Sequence, residues 1–136
     1  MQVPNFTNTM LNRVAQGDMS ILDEEHDFTL TEYAKYKYWN ALSVASTKGH
    51  LNLVNRLLEI DEVRANATAE DNWALRYAAA GGYLDIVNSL LKIDEVRANA
   101  TVVNNEALIV AAQNGHLDVV NRLLEIDEVR ANAVVL

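Results

Sequence analysis

The sequence VNRLLEIDEVRANA at residues 54–67 returns as VNSLLKIDEVRANA at residues 87–100 and as VNRLLEIDEVRANA at residues 120–133. Successive copies begin 33 residues apart. A fixed period of roughly 20–50 residues is typical of units that cannot each bury an apolar face alone and must stack on their neighbours. The repeat therefore predicts a helical solenoid built from copies of one small unit.

Each unit is predicted to contain two helices joined by a glycine turn. The first helix is short and alanine-rich and is carried by ALSVAST, ALRYAAA and ALIVAAQ, which begin at Ala41, Ala74 and Ala107. The second has apolar residues at helical spacing in LNLVNRLLEI, LDIVNSLLKI and LDVVNRLLEI, which begin at Leu51, Leu84 and Leu117. Between them a left-handed turn is favoured by Gly49, Gly82 and Gly115. Asn72 and Asn105 precede first helices, and we expect them to cap the first free backbone amides.

Several motifs recur in register and together resemble the ankyrin repeat. They are the AL-x-x-A core of the first helix, the G-H-L-D-V-V turn, the L-L-E row and the closing V-x-x-N-A, all at the 33-residue period. The resemblance covers residues 33–135 and implies an all-α solenoid of stacked helix-turn-helix units with short connecting loops. The variant with VVNRLLEI looks like the ankyrin proteins of intracellular bacteria and large viruses.

Two departures from the family pattern concern the connections. The family's T-P-L-H tetrapeptide, whose threonine and proline cap the first helix, is replaced by WNAL, NWAL and NEAL, which begin at Trp39, Asn72 and Asn105. The family's glycine after the second helix is replaced by IDEVR in all three copies. We therefore expect loop fingers that are shorter than those of the common repeat and set at a different angle.

A single ankyrin-repeat domain is predicted for residues 1–136. Residues 1–32 are expected to form a degenerate N-terminal capping unit, because MLNRVAQGDMSIL at residues 10–22 is a worn copy of the repeat. Clear repeats are expected at residues 33–67, 68–100 and 101–133. Residues 134–136 match the start of a further unit, so the chain is expected to be a fragment of a longer protein or to end in an imperfect cap.

The composition narrows the kinds of partner. With 19 acidic and 11 basic residues the net charge is −8, which argues against nucleic acid because phosphates require a basic surface. No apolar run approaches the ~18 residues that span a bilayer, and the first ten residues lack the regions of a signal peptide. The absence of cysteine excludes disulfides and thiolate metal sites. We expect an intracellular monomer without a membrane partner, and end-to-end association through residues 134–136 stays open.

Catalytic and cofactor sites are not predicted. His50 and His116 occupy the ankyrin G-H turn, where the ring of the family usually bonds the backbone of a neighbouring loop, and that reading is favoured over a pair of metal ligands. His26 lies in the acidic stretch at residues 23–27, where a weak metal site is an alternative. The sequence has no glycine-rich phosphate loop, no nucleophile elbow and no HExxH motif. We therefore expect no enzyme, no metal and no cofactor.

The candidate binding residues follow from the resemblance, because partners in the family contact the loop tips and the exposed side of the first helices. Mapped by position, the candidates are Tyr36, Lys37, Trp39, Thr47, Lys48, Glu70, Asn72, Val102, Val103, Asn105, Gln113 and Asn114. Tyr36, Trp39 and Lys48 come first, since tyrosine and tryptophan often anchor interfaces. Trp73 and Tyr77 lie one helical turn apart and are expected to pack on each other.

Acidic residues recur in every unit and leave two interpretations open. They are Glu59, Asp61, Glu62, Asp94, Glu95, Glu125, Asp127 and Glu128. Stacking would align them into an acidic edge, which is either a solvated face or a docking strip for a basic partner. The solvated face is favoured, because Arg64, Arg97 and Arg130 in the same segments neutralise the charge locally.

Three functional hypotheses follow. The first is a non-catalytic protein–protein interaction module, whose partner would be a host protein if the bacterial or viral likeness is right. The second is a targeting or substrate-recruiting fragment of a larger enzyme, or of a secreted effector delivered into a host cell. The third is a structural spacer. We favour the first, with equilibrium binding on a preformed surface as the mechanism.

Overall fold

The structure is a computed structural model and describes residues 12–19 and 41–133. Its helices are α1 Leu51–Leu58, α2 Asp61–Ala65, α3 Ala69–Gly81, α4 Leu84–Leu91, α5 Asp94–Ala98, α6 Val102–Gln113, α7 Leu117–Leu124 and α8 Asp127–Ala133. Residues 12–15 and 41–48 are helical as well, and the described residues contain no strand. The all-α fold class is therefore confirmed.

The helices recur in a fixed order of three. First helices are residues 41–48, α3 and α6; second helices are α1, α4 and α7; short helices are α2, α5 and α8. Neighbouring first helices lie side by side, and the contact between α3 and α6 is the most extensive of the helix pairs described. The second helices α4 and α7 pack on the first helices of their own units, α3 and α6, and α4 also packs on α1 and α7.

The core runs continuously through the stack. Small side chains at Ala74, Ala78 and Ala79 are buried on α3 and let neighbouring helices approach closely. On α4 the buried side chains are Ile86, Val87, Leu90 and Leu91, which occupy one face of the helix. Burying one such side chain contributes about 1.5–3 kcal/mol. Stacking on a neighbour is what removes this surface from water.

Successive units meet where an aromatic ring packs on a left-handed glycine. Gly82 has φ +75°, and a Cβ at this position would overlap the His116 ring of the next unit. The His116 Nε2–H donates to the Ala80 carbonyl at 3.1 Å. His50 lies on Gly17 in the same way and donates to the Ala15 carbonyl at 2.7 Å. The expectation that these histidines bond the backbone of a neighbouring unit is therefore confirmed.

The short helices correct the expected outline of two helices and a loop finger per unit. Where IDEVR replaces the family glycine, the chain forms a five-residue helix, as in α5. Arg97 stabilises the junction, because its Nη1 donates to the carbonyl of Leu91 at 2.9 Å and its Nη2 pairs with Asp94 at 2.7 Å. Arg64 and Arg130 make the same two contacts in their units. At the end of each second helix, an arginine thus donates to a carbonyl that lacks a partner within the helix. A glycine C-cap would otherwise provide the hydrogen bond to such a carbonyl.

The expectation that Asn72 and Asn105 cap the first helices is wrong. Residues 70–72 and 103–105 lie within α3 and α6 but have left-handed backbone angles, with φ between 54° and 64°. Asn72 Nδ2 donates to the carbonyls of Val96 and Asn99 at 3.0 and 3.2 Å, and Asn105 Nδ2 donates to that of Val129 at 3.0 Å. Their Oδ1 atoms accept no hydrogen bond from the described residues. The two amides therefore fasten the short helix of their own unit rather than cap a helix.

Two glycines offer a matched test of the ring contact. Gly82→Ala and Gly115→Ala both place a Cβ in a left-handed conformation, which costs about 1 kcal/mol. Only at Gly82 would the added Cβ also overlap a ring, because nothing lies within 4 Å of a Cβ at Gly115. We expect Gly115→Ala to lower the free energy of unfolding by about 1 kcal/mol and Gly82→Ala by about 3 kcal/mol, as overpacking is added. Urea denaturation followed by circular dichroism measures both, and equal losses would contradict the ring contact.

Variants at Asn105 and Asn104 separate the stability due to a buried hydrogen bond from the cost of the strained backbone. Both have φ near 60°, but Asn104 is exposed and Asn105 is buried with its bond to Val129. Asn104→Ala should cost only the strain of a left-handed alanine. Asn105→Ala should cost about 1–2 kcal/mol more, because a buried hydrogen bond is lost. Thermal unfolding of the two variants tests this, and a larger loss for Asn104→Ala would refute the role of Asn105.

Candidate protein-binding surface

The exposed face of the first helices is where the units differ. Many buried positions repeat without change, as at Ala41, Ala74 and Ala107. Aligned residues that differ are Ser43, Arg76 and Ile109, then Val44, Tyr77 and Val110, then Thr47, Ala80 and Gln113; of these, Ser43 is buried, Gln113 is exposed and the others are half-buried. Many residues that build the stack are thus held constant, and the first helices carry side chains that distinguish one unit from another.

An aromatic stack lies on this face. The Trp73 and Tyr77 rings are 4.1 Å apart between centroids with an angle of 11° between their planes, so the expected mutual packing is confirmed. The guanidinium carbon of Arg76 lies 5.8 Å from both ring centroids. A cation at this distance is attracted to the ring faces and adds about 0.5–1 kcal/mol at a partly exposed site. Both rings are half-buried, which leaves part of each accessible.

Arg76 joins the aromatic stack to the next unit. Its Nη1 forms an ion pair with Glu106 on α6. Its Nε and Nη2 donate to the carbonyls of Asp71 and Glu70 at 2.9 and 3.2 Å, so the same guanidinium also holds the left-handed turn. The Arg76 side chain is 14% exposed and that of Glu106 is 35% exposed. We name Trp73, Arg76, Tyr77 and Glu106 the first-helix cluster.

The candidates predicted from sequence divide into four groups. Lys48, Glu70, Gln113 and Asn114 are exposed, and Val103 is 47% exposed. Thr47 and Val102 are half-buried; the Thr47 hydroxyl donates to the Ser43 carbonyl at 2.7 Å, and Asn114 Nδ2 donates to the Ala80 carbonyl at 2.8 Å. Asn72 and Asn105 are 1% and 2% exposed, so their side chains are unavailable to a partner. Tyr36, Lys37 and Trp39 lie outside the described residues.

Arg76 and Glu106 were missed as candidates. The resemblance directs attention to loop tips and helix ends, whereas these two charges lie between neighbouring helices. The available signal was the divergence of Arg76 from Ser43 and Ile109 at one aligned position. A charge at a position that is otherwise small or apolar indicates a contact that the repeat itself does not require.

Other predicted features fall on the described residues only in part. Within residues 12–19 and 41–133, no three His, Asp or Glu side chains are arranged to hold a metal ion. No helix in the same ranges is long and apolar enough to cross a bilayer. His26, the acidic stretch at residues 23–27, residues 134–136 and most of the capping unit at residues 1–32 lie outside the described part of the chain.

A double-mutant cycle measures the link between α3 and α6. Arg76→Gln and Glu106→Gln should each destabilise the fold, and the double variant should lose less than the sum of the two. We expect a coupling energy of about 1 kcal/mol, because the pair is charge-assisted and only partly screened by solvent. Urea unfolding of the four proteins gives the value, and strict additivity would show that the pair contributes nothing.

Comparison with known proteins identifies the repeat. The family described as ankyrin repeats (3 copies) matches residues 15–102 and 42–133, which together span most of the chain. No curated protein and no solved structure matches the sequence. The matched residues include the three glycine turns, the alanine-rich first helices and the second helices described above. The chain therefore belongs to the ankyrin-repeat family.

Proposed function

We propose that this chain is a non-catalytic module that holds a protein partner on the exposed face of its first helices. Ankyrin repeats are in general protein-interaction modules. The observation that carries the proposal is the first-helix cluster, in which a stacked aromatic pair, an arginine and a glutamate occupy positions that differ between units. The stack of repeats needs none of these side chains at the other units.

The cluster has the chemistry of an interface anchor. Trp73 and Tyr77 offer large ring surfaces with few rotatable bonds, and such residues dominate the binding energy of many interfaces. Arg76 is already ordered by Glu106 and by two backbone carbonyls. A surface that is ordered before binding loses less conformational entropy when the partner arrives. Rigid recognition of a partner segment that contacts the rings is therefore the favoured mechanism.

Exposed side chains around the cluster extend the surface along the stack. Lys48 lies on one side, and Gln113 and Asn114 on the other, with the small residues Ala80 and Gly81 between them. The Arg76–Glu106 pair is internally neutral, so Lys48, Glu70 and Asp71 are the exposed charges left to select a partner. The surface thus favours a segment that is mainly apolar or aromatic and carries few charges.

Gln113 and Asn121 provide a matched pair for testing this face. Both are exposed polar amides; Gln113 is on the first-helix face of α6, and Asn121 is on α7. Gln113→Arg and Asn121→Arg therefore make the same kind of change to charge and size on different surfaces. Capture from cell lysate, quantified by mass spectrometry, should give a set of proteins shared by the parent and Asn121→Arg. With Gln113→Arg, the recovery of that set should fall about tenfold, which corresponds to about 1.4 kcal/mol.

Circular dichroism melts must show that both variants are folded before the captures are compared. Equal capture by all three proteins would refute the first-helix face as the binding surface. Loss with Asn121→Arg alone would move the site to the second helices. No specific capture by any of them would favour a structural role for the chain.

A further inference from the structure

A groove of about 690 Å³ lies on a different surface, between α1 and α2 of one unit and α4 and α5 of the next. Its apolar lining includes Leu58 and Ile93, and its polar lining includes Asn55, Thr68, Ser89 and Lys92. The lining contains no residue of the first-helix cluster. The groove is therefore separate from the surface proposed above.

The equivalent junction one unit later contains an arginine. Arg122 extends from α7, and its Nε donates to Asn88 Oδ1 on α4 at 2.8 Å. Its Nη1 also pairs with Glu125 at 3.2 Å. Asn88 is the repeat equivalent of Asn55, 33 residues later in the chain. The repeat thus shows how this kind of junction is filled when an arginine is present.

Two substitutions between the repeats open the earlier groove. Ser89 stands where the next unit has Arg122, and Lys92 stands where it has Glu125. A serine side chain is too short to reach across to the preceding unit. No hydrogen bond joins Asn55, Ser89 or Lys92 to another side chain of the described residues, and Asn55 is exposed. The acceptor that an arginine uses at the later junction is therefore free at this one.

We propose that this groove binds an arginine side chain from a basic segment of a protein partner. The guanidinium donates to Asn55 Oδ1, as Arg122 donates to Asn88, and the methylene stem packs on Leu58 and Ile93. Among the charged lining residues, Asp61 pairs with Arg64 and Asp94 pairs with Arg97, so Glu95 and Lys92 are the lining charges outside these two pairs. The net charge of −8 on the whole chain also attracts a basic segment.

Lys92 allows a test in which the affinity of the groove for an arginine side chain should rise. Its ammonium group opposes the incoming guanidinium, whereas the aligned Glu125 attracts one. Lys92→Glu should therefore tighten binding of the arginine side chain at this groove. Ser89→Arg should weaken binding, because the chain's own arginine would then occupy the groove as Arg122 does at the next junction.

The first test is a titration of isotope-labelled chain with the peptide acetyl-Gly-Ala-Arg-Ala-Gly-amide at low ionic strength, followed by NMR. We expect shifts of the Asn55 side-chain amide and of the Ser89 and Ile93 backbone amides. The peptide with glutamate in place of arginine should produce no shifts at these residues. Shifts with the glutamate peptide, or none with the arginine peptide, would overturn the proposal.

The repeat supplies matched variants for both directions. Ser89→Arg should weaken binding of the arginine peptide at Asn55 at least tenfold, because the chain's own new arginine would occupy the Asn55 Oδ1 acceptor. Arg122→Ser should create a second responding site at Asn88 by emptying the later junction. Each residue already occurs at the aligned position of a neighbouring unit, so each variant is expected to fold. Unchanged binding with Ser89→Arg, or no new site with Arg122→Ser, would refute the assignment.

Discussion

Close approach of successive units at the glycine turns is the constraint on which the rest of the structure depends. The ring of His50, Tyr83 or His116 lies where a Cβ would project from the preceding glycine turn, so the units could not come as close with any other residue there. Alanines on the buried side of the first helices allow the same closeness over the length of the helix. The leucine and valine stripes of the second helices can leave water only when this approach is achieved.

The connections show a second solution to a common problem of helix ends. Each second helix ends with carbonyls that lack a partner, and in this chain Arg64, Arg97 and Arg130 donate to one of them in their own units. These arginines lie in the short helices α2, α5 and α8, and Asn72 and Asn105 fasten α5 and α8 to the starts of α3 and α6. Hydrogen bonds from side chains thus hold the connection between units where IDEVR replaces the family's glycine, and the 33-residue period is kept.

Both proposed binding surfaces rest on residues that the units do not share. The first-helix cluster uses an arginine and an aromatic pair that occur in one unit, and its ion pair reaches an equally unshared glutamate in the next. The groove between α1 and α4 lies where Ser89 and Lys92 stand at the positions that Arg122 and Glu125 occupy in the next unit. In both cases a neighbouring unit has a different residue at the aligned position. The same backbone position can therefore be compared with and without the side chain in question.

The sequence by itself determined the period, the helical content, the buried positions and the family, because these depend on spacing and on apolar pattern repeated in register. It also predicted the histidine contacts and the Trp73–Tyr77 stack, which arise from short or aligned separations. Only the tertiary structure decided the roles of Asn72 and Asn105. The side-chain amide of Asn72 donates to carbonyls 24 and 27 residues later in the chain, and that of Asn105 donates to a carbonyl 24 residues later. The same holds for Arg76 with Glu106 and for the open groove beside Ser89. Partners in neighbouring helices are chosen by how the units pack, which no local pattern of residues specifies.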